Sequence, residues 1–430
     1  MDSIVAYASG SLENVAISLL RISGFQSRKE FQNFFSTPLE QLKTGKIFLL
    51  KFLINNKHID DITCIFYDAP KSYTGENVLE LFVHGNKVNR QIILDAFLGL
   101  PNTRLAKNGE FSLRAYSNGK MNLFQAEGLG ILLNAQNPKE LDFGKNLLFD
   151  TSYEDQFSDL RVAYKNHRAS LELSIDFSED LDERQQVEYR KQTFMIFKNK
   201  VISLLENSIK QKNYFLPKVL IYGETNAGKS TLFNLLLKKN RSIVDNEEGT
   251  TRDYVTERIQ YKGISFELVD SAGIRVTDSS TEKKGIDKTY ELLQESFFII
   301  YLLNPTQKIT FENSDLIIYS HEDTTPDLFG DFLRVHPAKE SIFNEIFDRI
   351  YAKYQQSIGN KGILLDRNFY HLQEIQKKLP NYELLLEEEE DFGVILGEFQ
   401  RIEKDLVELF GFMPSEEVLN QIFTSFCIGK

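Results

Sequence analysis

Eight consecutive residues carry the strongest chemical signal in this chain: Gly223-Glu224-Thr225-Asn226-Ala227-Gly228-Lys229-Ser230. The spacing is G-x-x-x-x-G-K-S/T, and its chemistry is phosphate binding. Gly223, Ala227 and Gly228 let backbone amides wrap phosphate oxygens where a strand gives way to a helix, with Thr231 in the first turn. Lys229 neutralises the β and γ phosphates of a nucleoside triphosphate, and the Ser230 hydroxyl ligates Mg²⁺. Two further elements follow in the order such a site needs. In Gly249-Thr250-Thr251-Arg252-Asp253, Thr251 offers a hydroxyl to Mg²⁺ and an amide to the γ phosphate. In Asp270-Ser271-Ala272-Gly273, Asp270 holds Mg²⁺ through water and the Gly273 amide senses the γ phosphate. Taken singly, Thr250-Thr251 or Asp270 reads as a cap or a turn; three elements in register read as a GTPase that cycles between GTP and GDP.

The pattern also has gaps. Ile274 stands where Ras-like enzymes keep the glutamine that orients water, and Arg252 and Arg275 read as structural residues, not as an arginine finger. The guanine-reading N-K-x-D is replaced by Ser320-His321-Glu322-Asp323. Asp323 keeps the paired hydrogen bonds to guanine N1 and N2, while Ser320 supplies only part of the lost amide contact. Weaker or less selective guanine binding is the expectation.

The elements that must hold these residues follow from hydrophobic patterning. Short apolar runs at Ile62 to Tyr67 and Val78 to Val83, bounded by Pro70, Gly75 and Gly85, give the first part of the chain a strand-and-turn grammar. From Asn122 to about Lys212 apolar residues recur at helical spacing. Lys218 to Tyr222 then opens an alternation of strands (Ser265 to Val269, Phe297 to Leu303, Leu316 to Tyr319) with helical segments such as Thr231 to Lys239, the grammar of a mostly parallel α/β sheet. From about Phe347 the helical grammar returns, with Leu384, Leu385, Phe392, Ile395, Phe399, Ile402, Leu406 and Phe410 forming a stripe on one face. A helical block on each side of an α/β unit reads as one split helical domain with an insertion. The expected partition is 1–119, an N-terminal α+β domain; 120–213, the first helical half; 214–346, the inserted P-loop domain; and 347–430, the second helical half. The acidic run Glu387 to Asp391 reads as a solvated helix face and not as a metal site.

Composition narrows the class. At 430 residues, 42% hydrophobic and 26% charged, the chain suits several water-soluble domains. No stretch approaches the ~20 apolar residues of a membrane span, and Asp2 stands where a secretion signal would be basic. Two cysteines, Cys64 and Cys427, cannot form a disulfide framework and point to a cytoplasmic setting. A net charge of −12 repels nucleic acid at long range, so any RNA contact must be local or brought by a partner.

At this point the residues resemble the MnmE (TrmE) family of tRNA-modification GTPases along essentially the whole chain. The resemblance rests on Asp2-Ser3-Ile4-Val5-Ala6 with Leu20-Arg21-Ile22-Ser23-Gly24, on Ala69-Pro70-Lys71-Ser72-Tyr73-Thr74-Gly75-Glu76 followed by Glu80 and His84-Gly85, and on Gly109-Glu110-Phe111 with Asn118-Gly119-Lys120. It continues through Gly249 to Asp253 and ends on Phe426-Cys427-Ile428-Gly429-Lys430. It implies an N-terminal domain that binds a methylene- or formyl-tetrahydrofolate and forms a homodimer, with Arg21, Glu80, Lys120 and Lys430 contacting the folate. It implies a flavoprotein partner, MnmG, in a heterotetramer, FAD residing only on that partner, and modification of C5 of the wobble uridine of tRNA. It further implies K⁺ in place of an arginine finger, ligated by Asn226 and by groups around Asp245, Glu247 and Thr250, with Glu282 orienting the attacking water. Cys427 aligns with a cysteine suspected of catalysis; a buried structural thiol is the equal alternative. Two rivals stay open: a GTPase switch in ribosome or tRNA assembly without one-carbon chemistry, and a folate-binding subunit whose GTPase domain has weakened.

Overall fold

The computed structural model describes residues 2–9, 14–176, 183–223, 227–240, 255–270, 292–303, 314–319, 333–334, 340–359, 361–388, 391–411, 414–426 and 429. The chain divides into two compact units, residues 1–169 with 400–430 and residues 170–399.

The first unit is built on a six-stranded sheet of β1 (Ser3–Tyr7), β2 (Asn14–Ser23), β3 (Ile47–Ile54), β4 (Lys57–Tyr67), β5 (Val78–Asn86) and β6 (Thr103–Leu105), in the order β3-β4-β5-β2-β1-β6. Neighbours are antiparallel except β1 and β6. Alternation sends Leu20, Ile22, Ile62, Cys64, Phe66, Leu79 and Leu81 into one core. β4 and β5 run beyond the apolar stretches that announce them, because His58 pairs with Leu53 and His84 with Ile17. A ladder needs backbone groups, not apolar side chains, so the polar ends leave no hydrophobic trace. Burial lifts the Cys64 thiol to about 12, which makes it an inert core residue.

Behind this sheet, helices Glu110–Ser117 and Leu123–Asn134 pack with Glu416–Thr424 around Ala126, Phe423 and Phe426. Gly109 makes the contact possible: its φ is +64°, and a Cβ there would lie 2.1 Å from the Phe423 carbonyl oxygen. Gly109→Ala is expected to cost about 2–4 kcal/mol, read as a lower unfolding midpoint and faster trimming of the C-terminus by carboxypeptidase.

The second unit contains β7 (Ser208–Lys210), β8 (Lys218–Gly223), β9 (Val255–Tyr261), β10 (Ile264–Asp270), β11 (Phe298–Leu303), β12 (Leu316–Tyr319), β13 (Leu333–Arg334) and β14 (Gly362–Leu364). Six of them form a sheet in the order β13-β12-β11-β8-β10-β9, parallel except at β9. Helices Lys229–Asn240 and Glu340–Ile358 bury Leu232, Leu236, Phe343, Ile346, Phe347, Ile350 and Tyr354 against Val219, Ile221, Ile300 and Ile318. The boundary expected between 346 and 347 therefore falls inside a helix whose apolar face is rooted in this sheet, and the α/β body extends to Ile358. Residues three and four apart on one helix share one face, so they cannot belong to two cores.

Two other expectations change. Leu384 and Leu385 lie on helix Asp366–Glu387, and Leu384 is 49% exposed, whereas Ile395, Phe399, Ile402, Leu406 and Phe410 line the buried side of a separate helix, Phe392–Phe410. The acidic run begins where the first of these ends, with Glu387 the last helical residue and Glu388 its C-cap, so these two residues mark a helix end and not the middle of a helix face. Among the described residues no group of three or more His, Cys, Asp or Glu could hold a metal ion, and no helix is long and apolar enough to cross a membrane. The pairing of β7 with β14 went unforeseen: three residues are too few to show a period.

Candidate functional site

The carboxyl edge of the second sheet gathers the phosphate-binding residues. β8 sits between β11 and β10, so the chain leaves it where connections diverge to opposite sides, the position at which open α/β sheets bind ligands. Gly223 ends β8 in register with Leu302, and a Cβ on it would stand 2.3 Å from the Leu302 carbonyl oxygen. No other residue type fits that approach. The chain re-enters a helix at Lys229, whose ammonium donates to the Gly223 carbonyl at 2.9 Å and is only 8% exposed. Burial pulls the Lys229 pKa down, and the Asp270 carboxylate pushes it the other way.

Asp270, at the end of β10, pairs in register with Ile221 of β8, which brings its carboxylate to the same edge. The Ser230 hydroxyl donates to Asp270 Oδ2 at 2.7 Å. A hydroxyl and a carboxylate are the hard oxygen donors that Mg²⁺ prefers beside phosphates, so this pair fits the ion expected there. Gly228 has a φ of +91° in the turn before the helix, and Thr231 is exposed on the first turn. Ala227 is different: it is 1% exposed and packs in the core of this sheet, so only its backbone is available to a phosphate. Asn226, Asp245, Glu247, Thr250, Thr251, Gly273, Glu282, Ser320 and Asp323 lie outside the described residues, as do Cys427 and Lys430.

A second site lies on the first sheet. Arg21 of β2 and Glu80 of β5 are directly opposite in register. Nε and Nη2 of Arg21 both reach Glu80 Oε1 at 2.8 Å, each side chain about one-eighth exposed. The other carboxylate oxygen, Oε2, has no partner among the described residues. The guanidinium also lies 5.1 Å from the Tyr73 ring centroid and 5.7 Å from that of Phe111. Glu80 opens into a cleft of about 320 Å³ walled by Tyr67, Tyr73 and Val78, with Lys71, Ser72 and Lys120 at its side. The Tyr73 hydroxyl is 2.7 Å from Ser112 Oγ, and burial lifts its pKa, keeping the phenol neutral.

This cleft unites Glu80 and Lys120, with Arg21 one hydrogen bond away. Gly429 also comes close: its carbonyl accepts from Arg21 Nη1 at 3.4 Å, and a Cβ on it would lie 2.5 Å from the Tyr7 carbonyl oxygen. From sequence, Lys71, Ser72 and Tyr73 stand out only as part of a motif block, and Tyr67 only as the end of an apolar run. Their role depends on how the loop between β4 and β5 folds over the sheet, which sequence spacing does not encode. That loop is held by Thr74, whose hydroxyl meets Ser23 Oγ at 2.7 Å, and by Glu76, which pairs with Arg114 at 3.2 Å.

Two family models match the chain: one described as GTP-binding protein TrmE N-terminus, over residues 3–120, and one described as 50S ribosome-binding GTPase, over residues 218–329. The chain is 30% identical over 470 residues to the tRNA modification GTPase MnmE of Leptospira biflexa, with all of both chains covered. It is 31% identical over 467 residues to the protein of the same name from Leptospira interrogans, again end to end. Among solved structures, the G domain of the T. maritima FeoB iron transporter is 21% identical and covers 33% of this chain and 99% of its own, with a TM-score of 0.25, too low to carry weight.

Proposed function

The chain belongs to the MnmE family of tRNA modification GTPases, and from that premise we propose that it hydrolyses GTP in the service of a folate-dependent modification of tRNA. One observation supports the hydrolase most directly: Lys229, Ser230 and Asp270 converge on the carboxyl end of β8, linked by the 2.7 Å hydroxyl–carboxylate contact. Ser230 would hold Mg²⁺ directly and Asp270 would hold it through water. The ion, when bound, neutralises charge on the β and γ phosphates. Lys229 keeps its ammonium at the phosphate position through the Gly223 carbonyl, so no reorganisation is needed when a triphosphate arrives.

The Arg21–Glu80 cleft is the proposed folate site. A pterin presents adjacent N–H donors on one edge, and Glu80 Oε2 is an acceptor with no partner among the described residues, while Arg21 supplies the counter-charge through Oε1. The tail residue Gly429 beside Arg21 supports a role for the neighbouring Cys427 and Lys430 at this site. On the family premise the GTPase body is an insertion in a split helical domain, the chain acts as a homodimer with the flavoprotein MnmG, the wobble uridine receives the one-carbon unit, and K⁺ bound through Asn226, Asp245, Glu247 and Thr250 assists hydrolysis. Thr251, Gly273 and Glu282 complete the γ-phosphate and water-positioning set, and Ser320 and Asp323 read the base.

A single assay tests this reading: phosphate release from GTP and from ATP in KCl and in NaCl, for the wild type and Asn226→Ala. Turnover should be on the order of 10–100-fold faster in KCl, and Asn226→Ala should lose that preference. Ser320-His321-Glu322 in place of the usual base-reading residues predicts a GTP over ATP ratio below that of motif-complete GTPases. The same substitution favours the second reading, a folate-binding subunit with a weakened GTPase; absence of turnover in either salt would establish it and overturn the first.

A further inference from the structure

Two exposed lysines, Lys71 and Lys120, line the Arg21–Glu80 cleft, and neither ammonium has a carboxylate partner among the described residues. Lys120 is exposed, and its Nζ donates only to the Pro70 carbonyl, at 3.0 Å. Lys71 is the next residue along that loop, also exposed, and its ammonium has no partner among the described residues. The carboxylate inside the cleft, Glu80, is committed to Arg21. Like charges gathered in one cleft disfavour each other, and this chain carries 62 acidic residues against 50 basic ones, so partners of opposite sign are plentiful elsewhere. Their isolation at one rim marks a place for an anion supplied from outside.

The size of the cleft says which part of a ligand that anion belongs to. A volume of about 320 Å³ is at the bottom of the ~300–1,000 Å³ range of clefts that enclose drug-sized ligands. It accommodates a pterin bicycle with its one-carbon unit, and the aminobenzoyl-glutamate that follows must leave through the mouth. Polarity fixes the direction: an acceptor carboxylate and neutral phenols inside, cations at the rim.

Building on the folate reading above, we propose that Lys71 and Lys120 form a subsite for the γ-linked glutamate tail of the folate, so that the protein selects polyglutamylated over monoglutamylated cofactor. Each added γ-glutamate brings one more carboxylate past the two lysines. Exposed ion pairs are individually weak, so the gain is modest and is screened by salt.

The test is direct binding of 5-formyl-tetrahydrofolate as the monoglutamate and as the triglutamate to the purified full-length chain, in 50 mM and 500 mM KCl, for wild type and for Lys71→Gln, Lys120→Gln and the double variant. The wild type should bind the triglutamate roughly five- to tenfold more tightly in low salt. High salt should shrink that ratio, and the double variant should bring it close to one while its far-UV circular dichroism and unfolding midpoint match the wild type. Equal affinity of the two forms for wild type, or a ratio unchanged in the double variant, overturns the tail subsite and leaves the folate reading standing. Failure of either form to bind overturns the folate reading, and this inference falls with it.

Discussion

Lys229→Ala is expected to lower GTP hydrolysis by about 100- to 1,000-fold, the loss seen when one preorganised charge stabiliser is removed from a transition state. The ammonium is buried and donates to the Gly223 carbonyl at 2.9 Å, at the start of the helix that the phosphate motif opens. Arginine should not rescue it, because the planar fork cannot occupy a space shaped for a narrow ammonium. Lys229→Met separates chemistry from folding. Burial disfavours the charged lysine, as the lowered pKa records, so an apolar side chain of similar length removes a desolvation cost. That variant should unfold at a temperature no lower than the wild type while losing hydrolysis to the same extent as Lys229→Ala. A marked fall in its unfolding temperature would mean that Lys229 is a structural residue and that the phosphate assignment is wrong.

Glu80→Gln should weaken binding of 5-formyl-tetrahydrofolate by about 10- to 150-fold, the worth of roughly 1.5–3 kcal/mol for hydrogen bonds to a charged group, and leave GTP hydrolysis by the isolated chain unchanged. Glutamine preserves the shape but replaces the free acceptor Oε2 with either a neutral oxygen or a donor, and it strips Arg21 of its counter-charge. Arg21→Gln removes the other half of the pair. If the two residues act as one unit, the double variant should lose little more than the worse single one. Additive losses would instead mean that Arg21 contacts the ligand independently, through the face it turns to Tyr73. The readout is titration of folate fluorescence or calorimetry.

Sequence legibility followed the length scale of each feature. The strand–loop–helix around Gly223 and Ser230 was readable because phosphate binding imposes a fixed local spacing, and the strands β8, β10, β11 and β12 fall within a residue or two of the apolar runs that announce them. Asp270 was readable as a motif, but its hydrogen bond to Ser230 depends on the pairing of β10 with β8 across 40 residues. The helix Glu340–Ile358 was misdivided because the change from alternating to helical grammar looks like a domain boundary, although an α/β sheet needs such a helix for its own face. Arg21 and Glu80 were identified from resemblance alone. Their spacing of 59 residues says nothing until β2 and β5 are laid side by side. The open oxygen of Glu80 and the bare ammonium of Lys71 belong to three-dimensional bookkeeping that no linear pattern records.

The short ribbon of β7 and β14 has an engineering consequence. Ser208 to Lys210 and Gly362 to Leu364 run side by side and parallel, so the chain leaves for the intervening 151 residues, 211 to 361, from one end of the ribbon and returns at the other, with Lys210 and Gly362 one strand spacing and two residues apart, roughly 8 Å. A segment that starts and ends at one ribbon can be cut out and the gap closed with a crossover of about a dozen residues, as a parallel pair requires, or replaced by a foreign module whose termini lie about as far apart.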